Sequence, residues 1–209
     1  MTDFVAREVD GGFVLPVAGF VCSEVRSDDE LILRSDDSSA EAWVSGSRIG
    51  EDLMRQLVER EVRVVGAGAT GDSTLQIALE DGTSIVNPAA DEGEAWEVRG
   101  PGYVLIVAMP GGGEPAIWDA TSEIRTINPG EPLPSQVEEM IQAYGLSRPT
   151  GEFEFRRTAS GRDAIELHPP NAPELNRSDC IRFVLPSQQS SSSRAPWWRR
   201  LRTREGEGT

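Results

Sequence analysis

The chain has 209 residues, 38% of them hydrophobic, and its 35 acidic residues outnumber 20 basic ones for a formal net charge of −15. This length allows one ordinary domain or one domain with a small addition, and the low hydrophobic share predicts a modest core. The negative charge repels phosphate backbones, so nucleic acid is excluded as an expected partner of the folded body.

Several features of the sequence predict a cytoplasmic protein. The first ten residues hold acidic side chains and no apolar core, so no secretory leader is expected. The longest apolar run, at 103–110, is too short to span a bilayer. Cys22 and Cys180 do not make a disulfide framework and are interpreted as small buried residues. Every basic residue other than the single histidine is arginine, which is typical of a high-GC genome.

Residues 1–119 are predicted to form one β-rich domain, since short apolar runs bounded by turn residues recur along them. Helical spacing at 51–61, with Leu53, Leu57 and Val58 on one face, predicts one helix. Asp-Gly at 81–82, between two alternating runs, predicts a hairpin. Short connections favour an antiparallel meander with one packed helix, in the α+β class. The strand candidates are 13–17, 20–25, 31–34, 41–45, 75–79, 85–86, 94–98, 104–109 and 116–118.

The rest of the chain is predicted to hold a linker, a small annex and a tail. Residues 120–134 contain three prolines and little periodicity, which indicates a linker. Ser135 and Glu138 have the spacing of a capping box, and Gly145 is the expected stop of the helix that follows. That helix and strands at 152–156, 164–168 and 180–185 form the annex, 135–186. Residues 187–209 are predicted to be disordered.

A glycine cluster at 66–71 matches G-x-G-x-x-G after an apolar strand, through Gly66, Gly68 and Gly71. A dinucleotide site would need a helix to begin there, with its N-terminal amides facing a pyrophosphate. The segment 72–82 alternates with period two and is too short for a crossover. We therefore expect a hairpin with its turn at 70–73 and Gly66 and Gly68 in its first strand. A nucleotide-binding protein or enzyme that uses this loop remains the alternative.

The sequence contains few residues that could form a catalytic or metal-binding site. His168 is the single histidine, so any catalytic triad or Cys-His pair would have to use it, and no nucleophile signature is present. It precedes two prolines at a predicted strand end and is expected to face solvent. The acidic pairs at 28–29 and 36–37 lack the spacing of a calcium loop. We therefore predict a non-enzymatic protein with no catalytic residue, cofactor or metal.

Tryptophan and arginine mark the C-terminal segment. Residues 187–209 hold five Arg and two Glu, so the segment is positive whereas the body is negative. Adjacent aromatic and cationic side chains suit an anionic membrane surface, an acidic groove or the acidic body of the chain. The other tryptophans, Trp43, Trp96 and Trp118, are expected in the core or on a sheet face. The candidate partner-binding residues of the tail are Trp197, Trp198, Arg199, Arg200 and Arg202.

A set of motifs occurs within residues 20–119: 73–82, a Glu-Ala-Trp-Glu strand in 94–98, Gly-Pro-Gly at 100–102, Pro-Gly-Gly in 109–112, and Trp118. Together they resemble a family of small uncharacterised proteins from high-GC Gram-positive bacteria. The resemblance spans residues 20–119 and implies a single β-rich cytoplasmic domain. No activity and no functional residue follow from it, although some members are similar in size to immunity proteins of bacterial toxin systems.

The function predicted from the sequence is therefore protein–protein interaction. The acidic surface would bind a basic protein partner, and an immunity-like role is one concrete form of this hypothesis. Peripheral membrane association through the Trp/Arg tail is a second alternative beside the nucleotide hypothesis.

Overall fold

The structure is a computed structural model that describes residues 4–27, 30–46, 50–143, 145, 148, 151–168 and 181–185. These residues form mostly antiparallel strands with two α-helices, which confirms the α+β class. The helices are α1 (Glu51–Glu59) and α2 (Ser135–Ala143). No helix in these ranges is both long and apolar enough to cross a membrane.

The strands are short, as the turn-rich sequence predicts. In chain order they are β1 (Arg7–Val9), β2 (Gly12–Val14), β3 (Val21–Ser27), β4 (Glu30–Arg34), β5 (Glu41–Gly46), β6 (Val64–Thr70), β7 (Leu75–Leu79), β8 (Ser84–Asn87), β9 (Trp96–Arg99), β10 (Leu105–Val107), β11 (Ala116–Trp118), β12 (Glu123–Ile127), β13 (Phe153–Arg157), β14 (Ser160–Gly161), β15 (Ala164–His168) and β16 (Ile181–Val184).

The chain divides into two compact units. The first unit comprises Met1–Thr121 and Ala159–Arg162, and the second comprises Ser122–Thr158 and Asp163–Thr209. The first unit contains two sheets. The first sheet has the order β1-β2-β6-β7-β8, and the second sheet has the order β14-β11-β10-β9-β5-β4-β3. The second unit contains the third sheet, in the order β12-β13-β15-β16.

The core of the first unit follows from the alternation of its strands. Leu75, Ile77 and Leu79 of β7 are buried, whereas Gln76 and Ala78 between them are exposed. Because successive side chains of a strand point to opposite faces, one face of the first sheet packs on the core. Helix α1 adds Met54 and Leu57 to this core from its apolar face. The predicted helix at 51–61 is confirmed, with its end at Glu59.

The tryptophans of this unit lie in strands, as expected. Trp96 and Trp118 are buried and Trp43 is half-buried on β5. The indole Nε1 of Trp96 donates to the carbonyl oxygen of Ser73 at 2.7 Å. A buried indole N–H needs such a partner, so this bond fixes Trp96 against the turn between β6 and β7.

The core of the second unit lies between α2 and one face of the third sheet. It contains Phe153 and Phe155 of β13 and, from the helix, Val137, Met140 and Ile141. The predicted helix is confirmed, but its capping box is wrong. The amide of Glu138 donates to the carbonyl oxygen of Pro134 at 3.1 Å, so Ser135 is already a helical residue.

Two segments differ from the predicted organisation. Strand β12 lies inside the predicted linker, where only Ile127 is buried and the other four residues are exposed. An edge strand with so few buried positions gives too weak an alternation to be recognised. Strand β14 lies inside the predicted annex, yet it pairs with β11 and belongs to the first unit. The predicted tail, 187–209, lies outside the described residues.

Candidate functional site

The outward face of the first sheet carries rows of aligned residues. In the central row, Val14 of β2 lies opposite Gly68 of β6, which lies opposite Gln76 of β7, which lies opposite Val86 of β8. Cross-strand partners in an antiparallel sheet point to the same face, so these four positions share one surface. Arg7 of β1 lies opposite Val14 and extends the row. The rows on either side are Gly66–Ala78–Ser84 and Val9–Gly12–Thr70.

Small residues along β6 leave a depression in this face. We call it the glycine trough, defined by Gly12, Gly66, Gly68, Gln76 and Ala78, and its volume is about 360 Å³. A Cβ placed on Gly66 would meet no atom within 4 Å beyond its chain neighbours. At Gly66 the trough is therefore open because a side chain is missing, whereas a Cβ on Gly68 or Gly12 would meet the backbone of the neighbouring strand.

Exposed valines flank the glycine trough. Val9, Val14, Val65 and Val86 are between 39% and 58% exposed, and all four lie on strands of the first sheet. Single exposed apolar residues are ordinary, but several on one face form a patch of the kind that binds partners. The alternation of β7 predicts one solvent face of this sheet, but it does not predict that apolar residues lie on that face.

An acidic cavity adjoins the glycine trough. It has a volume of about 570 Å³, shares residues 9–13 with the trough, and is lined by three carboxylates, those of Glu8, Asp10 and Glu114. No arginine is among the described residues that line either cavity. Asp72 lies in the adjoining turn, and a hydrogen bond from the Thr70 hydroxyl is the main cause that lowers its pKa. Glu8 lies opposite the buried Phe13, so its side chain is on the core-facing side of β1. The adjoining cavity, and not the outward face itself, therefore favours a cationic group.

The glycine cluster is part of this face and not of a phosphate loop. Residues 64–70 form β6 and pair with β7 through a turn at 71–74, with a bulge between Val64 and Gly66, so the predicted hairpin is confirmed. The N–H groups of a strand between two neighbours lie in the plane of the sheet and pair across the ladder. Among residues 50–143, no helix begins at this turn. The strand–turn–helix context of the nucleotide fingerprint is therefore absent.

The candidate nucleophile and base are both buried. Cys22 is fully buried, and burial raises the pKa of its thiol to about 11, so it stays protonated near neutral pH. His168 is buried in β15, which lies between β13 and β16. The prediction that His168 faces solvent at an edge was therefore wrong. The prolines that follow it mark the end of a strand but do not show whether that strand is central. Cys180 lies outside the described residues.

The third sheet carries a row of charged side chains that is buried. Arg156, Glu166 and Arg182 are cross-strand neighbours on β13, β15 and β16, and we call them the buried charged row. Nε of Arg182 donates to Oε2 of Glu166 at 2.8 Å, and the two side chains are 2% and 1% exposed. Because side chains alternate along a strand, these residues lie on the face of the sheet that Phe155 and Phe183 do not share. That alternation predicts a solvent face for the charged residues. The row was missed because its burial is not encoded in that pattern.

The acidic side chains at 36–37 interact with neighbouring side chains of the same unit. The hydroxyls of Ser39 and Ser35 donate to Asp37 and lower its pKa to about 2. Asp36 pairs with Arg63 at 2.7 Å. Within the described residues, no group of three or more His, Cys, Asp or Glu side chains is placed to hold a metal ion. The five tail residues from Trp197 to Arg202, and Asp28 and Asp29, lie outside the described residues.

Residues 33–119 are similar to a family of unknown function (DUF6188). No curated protein and no solved structure matches the chain. The matched segment lies within the first unit and includes β6, β7 and β8, and with them Gly66, Gly68, Gln76 and Ala78 of the glycine trough. The resemblance to an uncharacterised family is therefore confirmed over residues 33–119.

Proposed function

We propose that the protein is a non-enzymatic binding protein whose acidic surface takes a basic protein partner. The observation that supports this most directly is the outward face of the first sheet. It carries exposed valines and a trough of about 360 Å³. A cavity lined by Glu8, Asp10 and Glu114 adjoins this face at residues 9–13. An apolar patch supplies contact area, and carboxylates beside it select for positive charge.

The charge of the whole chain supports the same function. A formal net charge of −15 produces a negative potential that speeds encounter with a basic protein. We place the protein in the cytoplasm of a bacterium with a high-GC genome, in line with the exclusive use of arginine among its Lys and Arg positions. An immunity-like role, in which the acidic face blocks a basic toxin, is one concrete form of this proposal.

A capture experiment with the full chain tests the proposal. The immobilised chain is incubated with lysate of the source cells, and each retained protein is purified and titrated against it at about 50 mM and about 300 mM salt. We expect a retained protein of basic isoelectric point whose Kd rises by about tenfold or more at the higher salt. Retention of acidic proteins alone, a salt-independent Kd, or no specific retention would contradict the proposal.

A further inference from the structure

Strand β12 is an end strand of the third sheet, and β13 is its one neighbour among the described strands. We propose that two copies of this chain associate by antiparallel pairing of β12 with β12 of the second copy. The two four-stranded sheets then join into one sheet of eight strands. This surface lies in the second unit, so the inference goes beyond the proposed function and does not depend on it.

The backbone of β12 is regular and accessible. Its five residues pair with β13 in an unbroken register, from Glu123 opposite Arg157 to Ile127 opposite Phe153. The first four residues of the strand are exposed, and Ile127 is buried. Alternate residues direct their N–H and C=O groups to opposite sides, so an end strand presents a row of these groups at its open edge. A further strand is added to such an edge through backbone hydrogen bonds.

The charges of β12 select one register for the pairing of two copies. In a symmetric pair of antiparallel strands, the two-fold axis passes between identical residues that lie opposite each other. A centre at Glu123 or Arg125 therefore places two like charges opposite each other, which is destabilising. A centre at Thr126 places Arg125 opposite Ile127, without a counter-charge. With the centre at Ile124, Glu123 of each copy lies opposite Arg125 of the other, and both pairs are attractive.

Charged residues commonly protect an end strand from pairing. Like charges along β12 would act against every register. Glu123 and Arg125 have opposite signs, so they act against two registers and favour a third. The guanidinium of Arg125 lies 5.1 Å from the ring centre of Phe155, and this contact holds it on the face of the sheet that it shares with Glu123.

Ile124 supplies the apolar contact at the centre of this register. It is 49% exposed and is the one exposed large apolar residue among the described residues of the second unit. It lies opposite Arg156, so it extends the buried charged row to the edge of the sheet. In the joined sheet the two Ile124 side chains are cross-strand neighbours, with Cβ atoms about 4.5–5.5 Å apart. Each then covers apolar surface of the other.

Sedimentation equilibrium of the full chain tests the charge pairing. The measurement is made at about 150 mM salt, which screens the net negative charge of the two copies. We expect a monomer–dimer equilibrium with a Kd of about 100 µM or lower. Glu123→Arg and Arg125→Glu should each raise this Kd by about tenfold or more, because each places like charges opposite each other in both pairs.

A mixture of the two variants provides the matched control. In an equimolar mixture one copy carries two arginines on β12 and the other carries two glutamates, so both cross-strand pairs are again attractive. We expect the mixture to associate with a Kd within about threefold of the wild type. Recovery in the mixture separates lost pairing from lost folding, since two misfolded variants would not restore each other.

Disulfide formation tests the register. In a Cys180→Ser background, Ile124→Cys places two thiols opposite each other, and we expect a disulfide-linked dimer under mild oxidation. Thr126→Cys is the control on the same strand. In this register the two copies of residue 126 are offset by four positions, or about 13–14 Å, which is too far for a disulfide. The native Cys22 is fully buried and remains in every variant.

Several results would overturn the inference. They are a chain that stays monomeric at about 1 mM, a Kd that neither charge variant changes, a mixture that fails to recover, and equal cross-linking of Ile124→Cys and Thr126→Cys. A monomeric chain whose binding to a lysate protein is abolished by Arg125→Glu would overturn the second copy as the occupant and identify a foreign segment at β12.

Discussion

The outward face of the first sheet and the charged face of the third sheet place their side chains in opposite surroundings. The first sheet leaves Val9, Val14, Val65 and Val86 exposed to solvent. The third sheet buries Arg156, Glu166 and Arg182. In a simple antiparallel sheet the polar face meets water and the apolar face meets the core. Each unit therefore departs from this arrangement on one face. The first unit exposes apolar side chains, whereas the second unit buries charged ones.

The difference shows which kind of constraint acts on each face. A buried charge must be paired, because removing an ion from water is expensive unless a partner and hydrogen bonds replace the solvent. The exposed valines need no partner, because an apolar side chain on the surface costs the folded protein little free energy. The charged row is thus constrained by folding, whereas the glycine trough with its valines is free to be shaped by binding.

The largest expected effect comes from breaking the buried charged row. Glu166→Gln removes the carboxylate that pairs with Arg182 at 2.8 Å, in a pair whose side chains are 2% and 1% exposed. We expect the free energy of unfolding to fall by about 3–5 kcal/mol. Chemical denaturation of the full chain, followed by circular dichroism, measures the change.

An exposed ion pair in the same unit provides the control. Asp163→Asn breaks the pair with Arg157, whose side chains are both about half-exposed, and should lower the free energy of unfolding by less than about 1 kcal/mol. The double variant Glu166→Leu/Arg182→Met replaces both partners by apolar residues and should recover most of the loss. Equal losses for Glu166→Gln and Asp163→Asn would show that burial does not distinguish the two pairs.

The next effect separates the two faces of the first sheet on a single strand. Ile77→Ala removes a buried side chain from the core and should lower the free energy of unfolding by about 2–5 kcal/mol. Gln76→Ala, one residue away on the outward face, should change it by less than about 0.5 kcal/mol. Similar values for the two variants would contradict an uncovered outward face. Denaturant unfolding followed by tryptophan fluorescence measures both.

Glycine substitutions sharpen the description of the trough. Gly12→Ala places a Cβ against the carbonyl oxygen of Ala69, and we expect a loss of about 1–3 kcal/mol from the displaced backbone. Gly66→Val meets no neighbour and should change stability by about 1 kcal/mol or less, with stabilisation expected because the unfolded chain loses freedom. Thermal unfolding measures both, and a large loss for Gly66→Val would show that its position is not open.

The smallest effect concerns an exposed carboxylate. The pKa of Asp37 is lowered to about 2 by hydrogen bonds from Ser39 and Ser35. Because the folded pKa lies below the unfolded value, the stabilising contribution is present above the unfolded pKa and is lost as the pH falls towards 2. NMR titration should give a midpoint near pH 2, and Ser39→Ala should raise it. An unchanged midpoint in Ser39→Ala would exclude the hydroxyl as the main cause.

Much of the local structure was determined by the sequence alone. The alternation of Leu75, Ile77 and Leu79, with Asp-Gly after it, predicts the hairpins on both sides of β7, and helical spacing predicts α1 and α2. The acidic balance and the weak catalytic constellations also follow from composition. Even the glycine cluster was assigned to a strand, because its neighbours have period two and not the period of a helix.

Only the tertiary structure decided which faces are covered. The pleat of a strand fixes whether Glu166 or Leu167 points to a given side, since successive side chains alternate. It does not fix what lies against that side, because burial depends on segments distant in the sequence. That is why His168 was expected in solvent and the buried charged row was missed, and why the glycine trough emerged only when β2, β6 and β7 were seen side by side.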